Sequence, residues 1–445
     1  MAASRCPTAQ NPRPGASGRS GVIFSIMSLS LLRKPTAYQR GISRKKKKTQ
    51  PKPQPVRILR NDEEAIVAAK EAAEIFRATA SERDRNRDLP YREVELLSEI
   101  GLYGATVPKE FGGAEITAVT LAEVFRILSA ADPSLGQIPQ NHVAFVESVR
   151  DGTQTQQEFY FRRFLKGERI GNALSEATNT KGMADYKTRL TKVKGAYRIN
   201  GEKAYCTGAL FAQWIPIFTL DEQNRLWMAY VRSDSPGLTI HNDWHSMGQR
   251  TTASGTITID NVYVTEHELF PRFDLKRPQV GHSWGQIPHA AIDLGIAEEA
   301  LKDAIHYVKT EARPWHGSGL DRLSDEPLII QKVGEFQQAV DAARLFLRRG
   351  AELTDIARAN TTEETSLAAS FAVAQARIAT DHAALLVTNG LFELCGTKST
   401  FPKFNFDRHW RNARTHTLHD PIRWKTQFLG NYVLNGTRPP KNALI

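Results

Sequence analysis

Side chains able to do chemistry are concentrated in residues 407–425, DRHWRNARTHTLHDPIRWK, which include three histidines and four arginines. His416 and His419 are three residues apart and share one helix face, and Asp420 follows directly to orient a ring or hold a proton. Two histidines and a carboxylate also suit a metal, but the nearby arginines would repel a divalent cation and attract a phosphate. We predict a site for an anionic cofactor with a proton-handling group and no metal. The alternative is a solvated basic helix with incidental histidines.

The elements that position this segment belong to a chain of 445 residues, long enough for a large core and two or three domains. Its three cysteines are widely spaced and lack the spacing of a metal site, which indicates a reducing compartment and favours a cytoplasmic location.

The formal charge of +11 is unevenly distributed along the chain. Residues 1–61 contain fourteen Lys and Arg and no acid, so residues 62–445 carry a net charge of −3. We therefore expect no nucleic-acid binding by the folded body, and we predict a disordered basic leader over residues 1–61. A mitochondrial targeting peptide, a silent tail that reflects the choice of start site, and a tail that binds nucleic acid or membrane remain alternatives. The apolar stretch at residues 22–32 is too short to cross a bilayer.

Periodicity divides the body into three parts. Apolar residues at three-four spacing predict a helical domain over residues 62–167. Short alternating or β-branched runs predict a β domain over residues 168–280, and the helical period returns over residues 281–445. The sequence thus predicts a mainly α protein with a central β domain.

Several motifs occur in the order found in the acyl-CoA dehydrogenase superfamily, which this chain resembles from about residue 62 to 440. They are ATVPKEFGG, GNALSEA, GEKAYCTGALFAQ and MGQRTTASGTITIDNVYV. SLGQIPQNH, TGALFAQWIP and RHWRNARTHTLHDPIRWK are more similar to the flavin monooxygenases of sulfur acquisition, the relatives of dibenzothiophene monooxygenase. The resemblance implies an N-terminal α-bundle, a middle β-barrel and a C-terminal four-helix bundle, assembled as a homotetramer. It also implies reduced FMN (FMNH2) from a separate NAD(P)H-dependent flavin reductase, and oxygenation of a small organosulfur compound through a flavin C4a-hydroperoxide.

Departures from the dehydrogenase pattern weaken the alternative of an FAD-dependent acyl-CoA dehydrogenase. FELCGTKST replaces the glycine-rich turn that helps to hold FAD, and its Lys398 stands where the resemblance predicts a partner for an FMN phosphate. Nine residues after Arg411, where many dehydrogenases have a glutamate base, this chain has Asp420. Its side chain is one methylene shorter, and a misplacement of about 1 Å can cost roughly a hundredfold in rate. Orientation of His419, capping of the next helix and base catalysis all stay open for Asp420, with orientation preferred.

The resemblance assigns the remaining site residues by their expected contacts. His419 and Thr207 would approach the flavin hydroperoxide, and Asn172 and Ser175 the ring edge. Tyr205 and Trp244 would form an apolar wall, in which Tyr205 contacts the cofactor and Trp244 the substrate. Strand-end hydrogen bonding for Asn172 and Thr207, and a place in the barrel core for the two aromatic residues, are the structural alternatives. His142 is further expected to face the substrate, His416 the cofactor, and Arg313 the flavin phosphate of a neighbouring subunit. A plain surface position for His142 and an interaction with a helix C-terminus for Arg313 are the structural alternatives.

Overall fold

The computed structural model describes three stretches of the chain, residues 55–178, 182–271 and 278–440. The leader predicted over residues 1–61 lies outside the described residues, except for residues 55–61. That last part already packs on the helical body, because Leu59 is buried and the backbone N–H of Arg57 donates to the carbonyl of Glu99 at 2.8 Å. The packed chain therefore begins a few residues before the expected boundary.

The first part of the body is helical. Asn61 caps its first helix by accepting a hydrogen bond from the backbone N–H of Glu64 at 2.9 Å, and Thr153 and Gln156 form a capping box at its last helix. Within the described residues the helices of this part are α1 Asp62–Asn86, α2 Tyr91–Glu99, α3 Ala118–Ala131, α4 Pro133–Gln137, α5 Gln140–Val149 and α6 Gln154–Phe164.

The described residues of the middle part form one mixed sheet of seven strands, in the order β5-β6-β2-β1-β3-β4-β7. Neighbouring strands are antiparallel except for β1 and β3, which are parallel. The strands are β1 Arg189–Val193, β2 Ala196–Lys203, β3 Trp214–Leu220, β4 Leu226–Arg232, β5 Leu238–Ile240, β6 Ile257–Val264 and β7 Leu269–Pro271.

Long helices return after the sheet. Helix α9 packs against both α7 and α8, and α7 also packs against α3 of the first part. The helices are α7 Gly281–Thr310, α8 Pro327–Ala359, α9 Glu363–Cys395, α10 Asp407–His416 and α11 Ile422–Asn435. None of the described helices has both the length and the apolar run that a membrane span requires.

The two helical parts share a single large core, in which Phe76 and Phe125 pack with Ile287, Leu294 and Leu391. The sheet has its own core and meets the first helices through a cluster rich in aromatic side chains. This arrangement confirms the predicted order of helices, β domain and longer helices. It also brings the loop before β6 against α10.

Candidate active site

The histidines of residues 407–425 meet a third histidine from a distant helix. His416 is the last residue of α10, and His419 lies in the turn before α11. His289 of α7 contacts both: its Nδ1 lies 3.1 Å from Nε2 of His416, and its ring centroid lies 3.9 Å from that of His419. We call His289, His416 and His419 the histidine cluster.

Two buried carboxylates and one buried arginine anchor this cluster. Nδ1 of His416 lies 2.5 Å from Oδ1 of Asp293, and Nδ1 of His419 lies 3.0 Å from Oδ1 of Asp420. An ionised carboxylate only accepts hydrogen bonds, so each of these ring nitrogens carries its hydrogen. Arg377 joins the two carboxylates, with contacts of 2.6 Å to Asp293 and 3.2 Å to Asp420. The guanidinium of Arg377 thus holds the carboxylate partners of both His416 and His419.

Burial and charge fix the protonation states of several of these groups. Burial lowers the pKa of His289 well below its ordinary value and also lowers that of His416, so both rings are neutral near pH 7. Burial alone would raise the pKa of Asp420, but Arg377, His419 and Lys425 outweigh it and hold the pKa far below its usual range. Asp420 therefore stays ionised.

His419 is the accessible member of the cluster. Its side chain is 39% exposed, whereas that of His416 is 1% exposed. Because Nδ1 of His419 is committed to Asp420, Nε2 is the ring atom left for a ligand. Within the described stretches no group of three or more His, Cys, Asp or Glu is arranged to hold a metal ion.

The β domain contributes a second set of polar and aromatic groups, on the loop after β2. Tyr205 adopts φ +58° and is 58% exposed, and its ring makes an edge contact of 6.4 Å with Trp244. These rings are therefore not part of the barrel core. Asn172 donates from Nδ2 to the carbonyl of Tyr205 at 3.1 Å, while its buried Oδ1 has no partner among the described residues.

A buried ion pair holds the Asn172 segment against the end of β2. Nζ of Lys203 contacts Glu176 at 2.9 Å and donates to the carbonyl of Leu174 at 3.2 Å. Ser175 lies between these two residues, and its carbonyl accepts from the N–H of Ala204 at 2.9 Å. Asn172 and Ser175 are thereby kept next to the loop of Tyr205 and Thr207.

Thr207 begins a chain of hydroxyl groups. Its Oγ1 lies 2.7 Å from Ser254, whose Oγ lies 2.7 Å from Thr252, and Thr252 donates to the carbonyl of Gln249 at 3.0 Å. Each hydroxyl has one hydrogen, so Ser254 must donate to Thr252 and Thr207 must donate to Ser254. Thr207 is left with acceptor capacity on Oγ1.

The loop before β6 brings the β domain against α10. The backbone N–H of Gln249 donates to Oδ1 of Asn412 at 2.6 Å. A Cβ added to Gly248 would lie 1.9 Å from the carbonyl oxygen of Arg411, so only glycine permits this backbone approach. Arg411 also contacts Asp84 of α1 at 2.6 Å, which ties α10 to the first helix. The loop residues and the histidine cluster are therefore parts of one region.

Two predicted ligand contacts need correction. His142 is fully buried, with Nε2 at 2.6 Å from the carbonyl of Tyr103 and Nδ1 accepting from the N–H of Ile170 at 3.1 Å. Burial lowers its pKa to about 3, so the ring is a neutral link between domains with no nitrogen left for a substrate. Likewise, both nitrogens of His416 are engaged, by His289 and Asp293, so neither is left for a cofactor.

Arg313 and Lys398 lie on an exposed surface, away from the histidine cluster. Lys398 pairs with Glu311 at 2.9 Å, and Arg313 follows two residues later. Helix α7 carries His289 near its start and ends at Thr310, and that span corresponds to about 30 Å at 1.5 Å per residue. The two basic residues are therefore not part of the same site within one chain.

Three members of the site were not predicted from the sequence: His289, Asp293 and Arg377. A signal for each is nevertheless present. His289 and Asp293 are four residues apart on a strongly apolar helix, and Arg377 interrupts the apolar run FAVAQARIATDHAA. Charged residues on buried helix faces are rare unless they are paired, so such positions indicate a buried polar network.

Comparison with known families agrees with this architecture. Residues 63–168 match the acyl-CoA dehydrogenase N-terminal domain, residues 171–262 the acyl-CoA dehydrogenase middle domain, and residues 287–424 the acyl-CoA dehydrogenase C-terminal domain.

Individual proteins match over most of their length. The chain is 33% identical to a dibenzothiophene monooxygenase of Rhodococcus erythropolis, covering 85% of this chain and 95% of the relative. It is 32% identical to the probable FMNH2-dependent monooxygenase SfnC of Pseudomonas putida, covering 84% and 96%. The crystal structure of FMN-bound TdsC from Paenibacillus sp. A11-2 superposes with a TM-score of 0.80 at 30% identity, covering 85% of this chain and 99% of that one. The chain belongs to the acyl-CoA dehydrogenase family, in the branch that includes the dibenzothiophene monooxygenases.

Proposed function

We propose that the protein is an FMNH2-dependent monooxygenase that oxygenates a small organosulfur compound and receives its reduced flavin from a separate NAD(P)H-dependent flavin reductase. The names of the two relatives, a dibenzothiophene monooxygenase and a probable FMNH2-dependent monooxygenase, support this reaction class. The FMN-bound structure supports FMN over FAD. The state of Asp420 is the observation that separates the proposal from an acyl-CoA dehydrogenase.

A dehydrogenase base must take a proton from its substrate, and Asp420 is poorly suited to do so. Its Oδ1 contacts Arg377 and His419, and its Oδ2 lies 2.8 Å from Lys425. Despite burial, these contacts keep the pKa of the carboxyl far below its ordinary value, so Asp420 binds a proton only weakly. An oxygenase instead needs neutral hydrogen-bonding groups and exclusion of water, which the histidine cluster and the hydroxyl chain provide.

The groups around the loop after β2 fit a flavin ring. A flavin has N–H donors and carbonyl acceptors along one edge, and an N–H donor would satisfy the unpaired Oδ1 of Asn172. Thr207 has acceptor capacity for another N–H donor. The exposed ring of Tyr205, next to Trp244, offers an aromatic surface to a planar ligand and limits access of water. Reduced FMN, when bound, would supply the electrons that activate O2 for transfer to the substrate.

We assign the remaining roles to the residues that surround this position. Asp420 orients His419 by fixing the hydrogen on Nδ1, which leaves Nε2 to hydrogen-bond the oxygen that is transferred. Asn172 and Ser175 hold the edge of the flavin ring.

We further propose a homotetramer, in which Arg313 and Lys398 reach the flavin phosphate of a neighbouring subunit. Their distance from the histidine cluster along α7, about 30 Å, supports this because one chain alone cannot bring them to its own site. Light scattering of the active protein should give the mass of a tetramer. An active monomer would contradict the assembly.

A cytoplasmic location is proposed on the basis of the few, widely spaced cysteines. Removal of the basic leader on import into mitochondria is the alternative. The N-terminal sequence of the protein isolated from its cells distinguishes them, because an intact leader fits the proposal and a cleaved one contradicts it.

The deciding experiment compares two reactions of the purified wild-type protein. The first supplies FMNH2 from a flavin reductase, with dibenzothiophene as the probe, and measures oxygen consumption and oxygenated product. The second mixes the FAD-loaded protein with an acyl-CoA without oxygen and measures flavin reduction. Product in the first reaction and no reduction in the second support the proposal. Reduction by acyl-CoA without oxygenation would establish the dehydrogenase, and failure of both with a range of sulfur compounds would favour a scaffold.

A further inference from the structure

His289 is a buried residue of the candidate site to which no role has so far been assigned. It is 2% exposed, it lies on α7, and its ring makes contacts of two kinds. It stacks on His419, with ring centroids 3.9 Å apart and planes inclined by 35°. It also hydrogen-bonds His416 through Nδ1.

The hydrogen bond to His416 determines the tautomer of His289. The hydrogen on Nδ1 of His416 goes to Asp293, so Nε2 of this neutral ring is an acceptor. His289 must therefore donate from its own Nδ1. Burial holds this ring in place, and the hydrogen bond links it through His416 to the buried carboxylate of Asp293.

The same carboxylate is tied to the partner of His419. Arg377 contacts Asp293 with one nitrogen and Asp420 with the other, at 2.6 Å and 3.2 Å. His419 is thus held at two places by one buried network. Asp420 holds it at Nδ1, and His289 covers one face of its ring.

We propose that His289 is a positioning residue for His419: its ring sets the plane of the His419 imidazole and thereby directs Nε2 toward the reacting atoms. A hydrogen bond at Nδ1 alone leaves a ring free to rock about that bond, and a second aromatic ring on its face removes this freedom. The catalytic consequence rests on the proposed monooxygenase function. The placement of the His419 ring by His289 does not depend on that function.

Three substitutions separate the stacking contact from the hydrogen bond. His289→Phe keeps a flat ring and loses the donor to His416. His289→Asn keeps an N–H donor close to the position of Nδ1 and loses the ring, and His289→Ala loses both. His409→Asn is a matched control, because His409 is also a buried histidine bonded to a carboxylate, Asp303, at 2.8 Å outside the cluster.

The first measurement uses the purified protein without added flavin or substrate. Diethyl pyrocarbonate modifies accessible imidazoles, and fragment-ion mass spectrometry of the tryptic peptide 415–423, which separates His419 from His416, gives the rate for His419. We expect His289→Ala and His289→Asn to raise this rate roughly two- to tenfold, the range for loss of one aromatic contact. His289→Phe and His409→Asn should stay close to wild type. Wild-type rates in all three His289 variants, or a rate in His289→Phe as high as in His289→Ala, would overturn the proposal.

The second measurement is the ratio of hydrogen peroxide to oxygenated product when a reductase supplies FMNH2. This ratio should rise by a similar factor in His289→Ala and His289→Asn. It should stay at the wild-type value in His289→Phe, which keeps the ring. If His289→Asn keeps the wild-type ratio and His289→Phe raises it, the effect belongs to the hydrogen bond with His416 and the stacking proposal is refuted. If the wild type forms no product, the proposed function fails, while the modification rates still decide how His419 is placed.

Discussion

Replacement of Asp420 by asparagine tests the view that this carboxylate is an ionised anchor. Asparagine has nearly the same shape but carries no charge. In the native fold the carboxylate is 3% exposed and contacts the cationic groups of Arg377 and Lys425, whose side chains are 0% and 4% exposed. The substitution therefore leaves the positive charges of Arg377 and Lys425 buried without the negative charge of Asp420.

The size of the effect follows from this burial. Removal of one partner from a buried ion pair costs about 3–5 kcal/mol in the free energy of unfolding, and we expect Asp420→Asn to fall in this range. Because the pKa of Asp420 is depressed, its contribution is fully present above about pH 4 and is lost only as pH falls through the lower native pKa. A measurement at pH 7 captures all of it. The double variant Asp420→Asn/Lys425→Met, which also removes a positive charge, should lose less than the two single variants summed.

Urea titration at pH 7 gives the four free energies of this cycle. Asp325→Asn is the control, because Asp325 pairs with Arg322 at 2.8 Å on the surface, where both side chains are well exposed. Its cost should stay below about 1 kcal/mol. A loss below about 1 kcal/mol in Asp420→Asn, or strict additivity in the double variant, would refute the account of a buried charge network.

Three further predictions concern other contacts of the site. Gly248→Ala should lower the free energy of unfolding by about 1–3 kcal/mol, because the new Cβ would overlap the carbonyl of Arg411. An unchanged midpoint in urea would show that the loop of Gly248 can move away from α10 without cost. Asp381→Asn should raise stability at pH 7.5 by up to about 3 kcal/mol, because burial and Asp293 raise the pKa of Asp381 to about 6 and its ionised form is disfavoured in the fold. This gain should fade as pH falls from 6 toward about 4, and equal stability of the two proteins at pH 7.5 would contradict it. Lys398→Ala should weaken FMN binding by roughly tenfold through loss of a charge-assisted hydrogen bond, measured by fluorescence titration; unchanged affinity, or preference of the wild type for FAD, would count against the phosphate site.

The fold could be predicted because its signals are local. The change from three-four spacing to alternating runs and back is visible within windows of a dozen residues, and the structure has helices and strands in that order. The start of the packed chain was harder to predict, since packing decides it. Residues 55–61 join the body only through contacts such as that of Leu59 with the helical core, which no local pattern contains.

From spacing alone, the candidate site was predictable only where its residues are neighbours in the chain, and the residues of the β domain were expected only from the resemblance. His416, His419 and Asp420 fall within one short segment, so their spacing suggested a shared site. His289 is 127 residues from His416, and only the packing of α7 against α10 brings the two together. His142 was predicted to meet substrate from its place in the loop before the β domain, whereas contacts with Tyr103, Phe164 and Ile170 bury it.

The most direct test of the central claim is the ratio of hydrogen peroxide to oxygenated product in wild type and His419→Ala, with a reductase supplying FMNH2. Under the proposed function, His419 offers Nε2 to the transferred oxygen while Asp420 holds Nδ1, so loss of the ring should leave FMN binding nearly intact and divert oxygen consumption into peroxide. Asp420→Asn should show the same change more mildly, provided it is measured on the folded fraction. An unchanged ratio in His419→Ala, with product still formed at the wild-type rate, would contradict the claim that this histidine protects the oxygen-transfer step.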